Sequence, residues 1–246
     1  MTINDFLHLV RSRRSYRRFK SSPVPPDDCI QKMLEAARWA MSGANAQSWE
    51  FIIIKDRDMI RKINEACLED KKDGYNFEMT RVAKYKQQVF AFGPPESTGW
   101  EAVPVLIAIV GDRRTTQATV LEAFFLLSEG GPDAHYAKNM ANATQNIHLA
   151  ATAMGLATRW VSITQSSEET LKRLLDVPDQ LDIHTIVPVG YPAYKPPPPY
   201  RRKLEEIVHY EKYDRSRYRS VADVVNFLAD LRKRSRKVYA ETYKGS

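Results

Sequence analysis

Val103-Pro104-Val105-Leu106-Ile107-Ala108-Ile109-Val110 is the most apolar stretch of the chain, and its reading decides the fold class. Eight residues suit a strand covered on both faces, with Pro104 at its start or in a bulge, where the missing N–H is tolerated. Phe51-Ile52-Ile53-Ile54 is a second such run, and Met59, Ile60 and Ile63 then recur at helical spacing. Further along, Arg159 to Ile163 and Ile183 to Val189 read as strands on either side of a helix that begins near Ser167 and turns Leu171, Leu174 and Leu175 inward. Strands doubly buried and interleaved with helices describe one α/β or α+β domain.

Working outward, Thr2 is placed to cap a short helix with Ile3, Phe6, Leu7 and Val10 on one face. Pro25-Pro26-Asp27-Asp28 opens another, with acids at the positive end of the dipole and Ile30, Met33, Leu34 and Ala37 as its inward stripe. Ala134 to Met154 is the longest helical pattern, closed by Gly155 and rich in small residues that permit close approach of a neighbouring helix. Between the first two strands, Glu69 to Trp100 is polar and aromatic, with Gly74, Gly93, Pro94, Pro95 and Gly99; it predicts an inserted lid. After Lys195-Pro196-Pro197-Pro198-Pro199, a stiff connector, residues 200–246 form a C-terminal extension in which Ser220 to Lys237 is an amphipathic helix.

The 246 residues carry a net charge of +7. Two clusters account for much of it: residues 11–20 hold six cations and no acid, and from Tyr200 onward 13 Lys and Arg face 7 Asp and Glu. Cationic clusters at opposite ends of a chain can converge on one anion. No stretch approaches the roughly 18 apolar residues that span a bilayer, and the first residues do not read as a signal peptide, so a cytoplasmic protein is expected. Cys29 and Cys67 are isolated, which argues against a disulfide framework or a zinc site.

The glycines spell neither GxGxxG nor GxxxxGK[ST], and HExxH and GxSxG are absent; the five histidines are scattered. Arg13-Arg14-Ser15-Tyr16-Arg17-Arg18-Phe19 is more informative. In an extended chain alternate residues point one way, so Arg13, Ser15 and Arg17 present two guanidinium forks and a hydroxyl on one side, a donor set shaped for phosphate; a solvated basic turn is the plain alternative.

These residues, followed about two dozen positions later by Ser42-Gly43-Ala44-Asn45-Ala46-Gln47-Ser48-Trp49-Glu50-Phe51, resemble the FMN-dependent nitroreductase family. Gly190-Tyr191-Pro192 and Arg201-Arg202-Lys203-Leu204-Glu205-Glu206 are similar to the family's C-terminal phosphate motif, and the resemblance covers roughly residues 5–210. It implies an α+β fold of three layers, a mixed central sheet flanked by helices, assembled as a homodimer with FMN at the subunit interface and NAD(P)H as electron donor. On the matching positions, Arg13, Arg14, Ser15 and Arg17 hold the phosphate, ribityl chain and pyrimidine edge, and Arg201 with Arg202 completes the phosphate site. Ser42, Gly43 and Asn45 reach the flavin of the other subunit, and Trp160-Val161-Ser162 passes the ring with a backbone N–H near N5. Met41, Ser48 and Trp160 stand where the family often has proline, which alters the flavin surroundings. In the lid, Tyr75, Tyr85 and Lys86, with Phe77 and Arg81, can stack on and hydrogen-bond an aromatic substrate, or pack the lid down.

The function implied is a flavin oxidoreductase that passes electrons from NAD(P)H to an electron-poor acceptor in two half-reactions. A specialised lidded member is the alternative: a reductive dehalogenase, a substrate-oxidising dehydrogenase or an enzyme that consumes the flavin. From other classes, the run Arg232-Lys233-Arg234-Ser235-Arg236-Lys237 suits a nucleic-acid-binding protein, although cations there also complement a helix dipole, and a flavin fold without turnover suits a sensor.

Overall fold

The computed structural model describes residues 1–81, 94–118 and 130–243. Its centre is the apolar run above: β2 (Val105–Gly111) pairs antiparallel with β1 (Trp49–Ile54) on one side and β4 (Asp182–Gly190) on the other, and the two-residue β3 (Ala157–Thr158) adds to the far side of β4. All four strands pair antiparallel; the parallel element is an isolated bridge between Ser15 and Thr158. Side chains alternate along β2, and every residue of it is buried. Leu106, Ala108 and Val110 join Ile60, Ile63 and Cys67 of α3 (Arg57–Met79) and Leu171 of α6 (Gln165–Leu175). Val105, Ile107 and Ile109 join Ile30, Met33 and Ala37 of α2 (Asp27–Arg38) and Met140, Ala143, Ile147 and Ala151 of α5 (Gly131–Ala153). Two apolar layers, each contributing about 1.5–3 kcal/mol per large side chain fully buried, therefore clamp the sheet from both faces.

The caps follow the sequence. Thr2 and Asp5 form a reciprocal capping box on α1 (Ile3–Ser12), Asp56 accepts from Met59 N–H at the start of α3, and Thr164 caps α6. A short helix, α4 (Arg114–Gln117), follows β2, and α7 (Val221–Tyr243) ends the described chain, with Ser220 and Asp223 bonded reciprocally at its start.

Two expectations change, and one expected strand is irregular. The strand expected over Arg159 to Ile163 shrinks to β3 and one antiparallel bridge, Val161 to Ile186. Its register continues that of β3, but Pro188 lies opposite Arg159 and has no N–H with which to carry the ladder on. The lid does not begin at Glu69, because α3 runs unbroken to Met79 and Lys72 pairs with Glu69 along it at 2.6 Å. At the other end Trp100 is 1% exposed and belongs to the core. Residues 82–93, the middle of the expected lid, lie outside the described residues. Finally, β4 carries a bulge: Thr185 stands opposite Ile109 but Ile183 opposite Val110, so His184 is extra. That is why Ile183 and Ile186, three apart, share one layer.

Candidate active site

The chain leaves α1 through Arg13 and runs beside the outer edge of the sheet. Tyr16 N–H donates to Thr158 O at 3.0 Å, Lys20 N–H to Tyr191 O at 2.9 Å, and Phe19, 5% exposed, anchors the segment in the core. Tyr16 meets the Tyr194 ring edge-on at 6.2 Å, Arg18 lies over it at 5.1 Å, and Arg14 acts electrostatically on Tyr16. The segment bends at Arg17.

Cations gather around Arg13. Burial pulls the Arg13 guanidinium down from its ordinary value, and Arg201 and then Arg14 add to the effect. Arg201 is 188 positions away in sequence, so the fold brings the two basic clusters within electrostatic range of each other. Among the described residues no carboxylate pairs with Arg13, Arg14 or Arg201. Arg14 gives one nitrogen to the carbonyls of Arg11 and Arg13 at the end of α1, while its buried Nε has no partner. Arg202 turns away instead, with Nε 3.4 Å from Glu206 and Nη2 on the Glu206 carbonyl at 2.5 Å. A half-buried and an exposed cation that repel each other, with no carboxylate paired to either among the described residues, make a site ready for a polyvalent anion.

Arg17 looks the other way along the strand, toward a second group that the sequence reading missed. Lys71 donates to the carbonyls of Ser97 (3.1 Å) and Thr98 (2.7 Å), and Arg159 reaches the same Thr98 carbonyl at 3.1 Å. Burial, then Arg159, bring Lys71 down to about 8, with Arg17 contributing and Glu101 opposing. Burial would raise Glu101, but its own N–H, the Gly99 N–H and the Ser97 and Thr98 hydroxyls hold it at about 2. Reading α3 as a lid hid Lys71. Had the helix been extended, its i, i+4 spacing from Tyr75 would have shown both on one face. Tyr75 itself is half-buried on α3; Tyr85 and Lys86 lie outside the described residues.

Next to the arginine strand, Trp160 is partly exposed and Val161 buried. Val161 spends both backbone groups, its N–H on Ile186 O at 3.1 Å and its carbonyl on the Thr185 hydroxyl at 2.7 Å. Ser162 N–H, by contrast, meets no acceptor among the described residues and is available as a donor. Trp160 is framed by His184, edge-on at 5.2 Å, and His148 at 6.3 Å. His148 binds Thr158 Oγ1 through Nδ1 at 2.8 Å, and burial, helped by Arg13, holds it at about 4, so it is neutral at pH 7.

Ser42, Gly43 and Asn45 lie apart from this cluster, on a turn that follows α2; no hydrogen bond joins them to Arg13, Arg14 or Arg201. A short 3₁₀ segment (Gly43–Asn45) carries Ala44 and Asn45 at φ +53° and +54°, and Gln47 follows at +46°. Such values in non-glycine residues each store about 1–3 kcal/mol and cluster at functional sites.

Comparison with known proteins bears on the fold and the family. A protein of Archaeoglobus fulgidus named as an NADH dehydrogenase/NAD(P)H nitroreductase is 26% identical over 192 residues, 77% of this chain and 87% of that one. An iodotyrosine deiodinase of Thermotoga neapolitana is 27% identical over 206 residues, 83% of this chain and 97% of that one. Among solved structures, oxidised iodotyrosine deiodinase bound to FMN and 3-iodo-L-tyrosine superposes with a TM-score of 0.64 at 24% identity, covering 84% of this chain and 99% of its own. NfrA1 of B. megaterium gives 0.66 at 19% identity and covers 99% of this chain and 87% of its own, so the three-layer α+β fold is shared. The model of the nitroreductase family matches residues 10–191, a span that takes in the arginine strand, the Ser42 turn and the whole sheet, and the chain belongs to that family.

Proposed function

We propose that the chain is an FMN-dependent oxidoreductase that acts as a homodimer, taking electrons from NAD(P)H and passing them to an electron-poor acceptor such as a nitroaromatic or a quinone. The observation that carries this reading is the meeting of Arg13 and Arg201, cations with no acid between them. A phosphate dianion fits that set: it would relieve their repulsion and accept from both forks and from Ser15. Bound FMN supplies the electron-transfer chemistry.

The chain's own groups divide the remaining work. Arg13, Ser15 and Arg201 hold the phosphate end. Arg17, with Lys71 and Arg159 beside it, brings positive potential to the pyrimidine edge. Ser162 N–H offers a donor beside the ring, and Trp160 stands next to it where the family often has proline. Ser42, Gly43 and Asn45 would be supplied by the second subunit. Apolar faces left open within one chain support that assembly: Ile3, Phe6, Leu7 and Val10 on α1, and Val221, Val224, Val225 and Leu228 on α7, are all exposed. A cytoplasmic setting suits the use of NAD(P)H, and among the described residues no helix is long and apolar enough to cross a membrane.

Purified protein should be yellow, release FMN on denaturation and be bleached by NADH or NADPH without oxygen. Light scattering should give about twice the 28.2 kDa of one chain. Colourless protein that takes up no added FMN would overturn the assignment. The deiodinase relatives favour a second reading, reductive removal of halide from a halogenated phenol. Iodide release from 3-iodo-L-tyrosine under reducing conditions, faster than reduction of a nitroaromatic, would decide for it.

A further inference from the structure

Three asparagines on α5 reach back to three successive points of the chain that leaves α2. Asn146 donates to Ala36 O at 2.9 Å, Asn142 to Met41 O at 3.0 Å, and Asn139 accepts from Gly43 N–H at 3.0 Å. The seven residue steps from 139 to 146 span about 10 Å of helix, and the ladder runs antiparallel to the chain it holds. Its rungs differ in what they hold. Asn146 satisfies a carbonyl in the last turn of α2, a helix end that needs such a partner. Asn139 holds the turn in which Ala44, Asn45 and Gln47 all have positive φ.

Among the described residues, the other hydrogen bonds of that turn close it from within and from its far end. Asn45 N–H donates to Ser42 O, Ala46 N–H to Gly43 O and Gln47 N–H to Ser42 Oγ, each at 3.1 Å. Ser48, 1% exposed, then receives Asp112 N–H and the Thr115 hydroxyl. Asn139 is 4% exposed, and among the described residues its Nδ2 has no partner. A buried amide donor left unmet opposes stability, and here it accompanies an Oδ1 held on the Gly43 N–H.

We propose that Asn139 is a positioning residue of the active site: through Gly43 it holds the turn of residues 42–47 in its left-handed form and so sets where Ser42, Gly43 and Asn45 present their polar groups. The link to the flavin rests on the function proposed above, whereas the clamp itself does not. Two asparagine variants of the full-length protein separate the cases. Asn139→Ala should weaken FMN binding to apoprotein at least about tenfold and change the visible circular dichroism of bound flavin. Asn146→Ala should lower Tm while leaving the FMN Kd within about twofold, because its rung ends at α2. In flavin-free protein, amide exchange at Gly43 and Gln47 should be at least about tenfold faster in Asn139→Ala than in Asn146→Ala. Equal exchange in the two variants would overturn the clamp. Equal FMN affinities would overturn its role at the site. Wild-type protein that binds no FMN would instead remove the flavin reading, with the exchange experiment still testing the clamp.

Discussion

Replacing Arg201 by glutamine should separate two effects that usually move together, ligand affinity and stability. Arg201 is exposed, and among the described residues it makes no ion pair and bonds to backbone at Tyr200 O, 2.9 Å away. It acts on Arg13, whose positive charge it opposes. Two like unit charges repel by about 1 kcal/mol at about 4 Å in water-like screening and by less at greater separation, and salt reduces this further. Apoprotein carrying Arg201→Gln should therefore be as stable as wild type, or more stable by a few tenths of a kcal/mol at low salt. A phosphate that loses one charge-assisted bond loses about 1.5–3 kcal/mol, or roughly 10- to 150-fold in Kd. Riboflavin, which lacks the phosphate, should bind both proteins within about twofold. Titration of apoprotein with FMN and riboflavin, alongside urea unfolding, reads all three quantities. An equal loss for FMN and riboflavin, or apoprotein destabilised by more than about 1 kcal/mol, would refute the idea that Arg201 stands beside Arg13 to meet a phosphate.

Ala44→Gly should raise stability by about 0.5–1 kcal/mol, because φ +53° strains alanine and not glycine; a lower urea midpoint would show that the turn is not strained there. His148 is held near 4 in the fold against 6.5 when free, so the unfolded chain takes up the extra proton in between. Stability from this source is full above pH 6.5 and is lost as pH falls toward 4, by up to about 3 kcal/mol; His148→Gln should flatten that acid limb, and an unchanged slope would exclude His148 as its origin. Substituting residues 82–93 by a short Gly/Ser linker should leave FMN bound and change kcat/KM for a bulky aromatic acceptor at least about tenfold while a small quinone is still reduced; loss of FMN would show that the segment supports the flavin site.

How much of this was legible in the sequence depended on whether a signal was local. β2 is doubly apolar, and that alone predicts a strand with helices on both faces, as found. The end of α3 was hidden because Glu69 to Met79 is a polar helix whose neighbours come from other elements: Lys71 meets the carbonyls of Ser97 and Thr98, and Asp70 meets Thr164. No periodic apolar stripe records such contacts. The bulge at His184 and the break opposite Pro188 are likewise properties of a pair of strands, invisible in either one. Among site residues, the arginine strand could be read because its donors recur every second position. Asn139 and Arg159 could not, since each acts on backbone far away in sequence.

The same distinction explains why the site forms where it does. The sheet ends in β3, only two residues long, and the ladder fails at Pro188, so an edge is left open beside the last regular pairing. Residues 15 to 20 occupy that edge by bonding to Thr158 and Tyr191 rather than by extending a full strand. An irregular edge keeps its arginines half out of the core, where they retain charge, yet close enough to the core to be desolvated. A regular fifth strand would have tied up more of the backbone donors near Ser162, and a free loop would not have fixed Arg13 against Arg201. Pairing that is partial at β3 is thus what lets one segment be both anchored by Phe19 and open to an anion at Arg13.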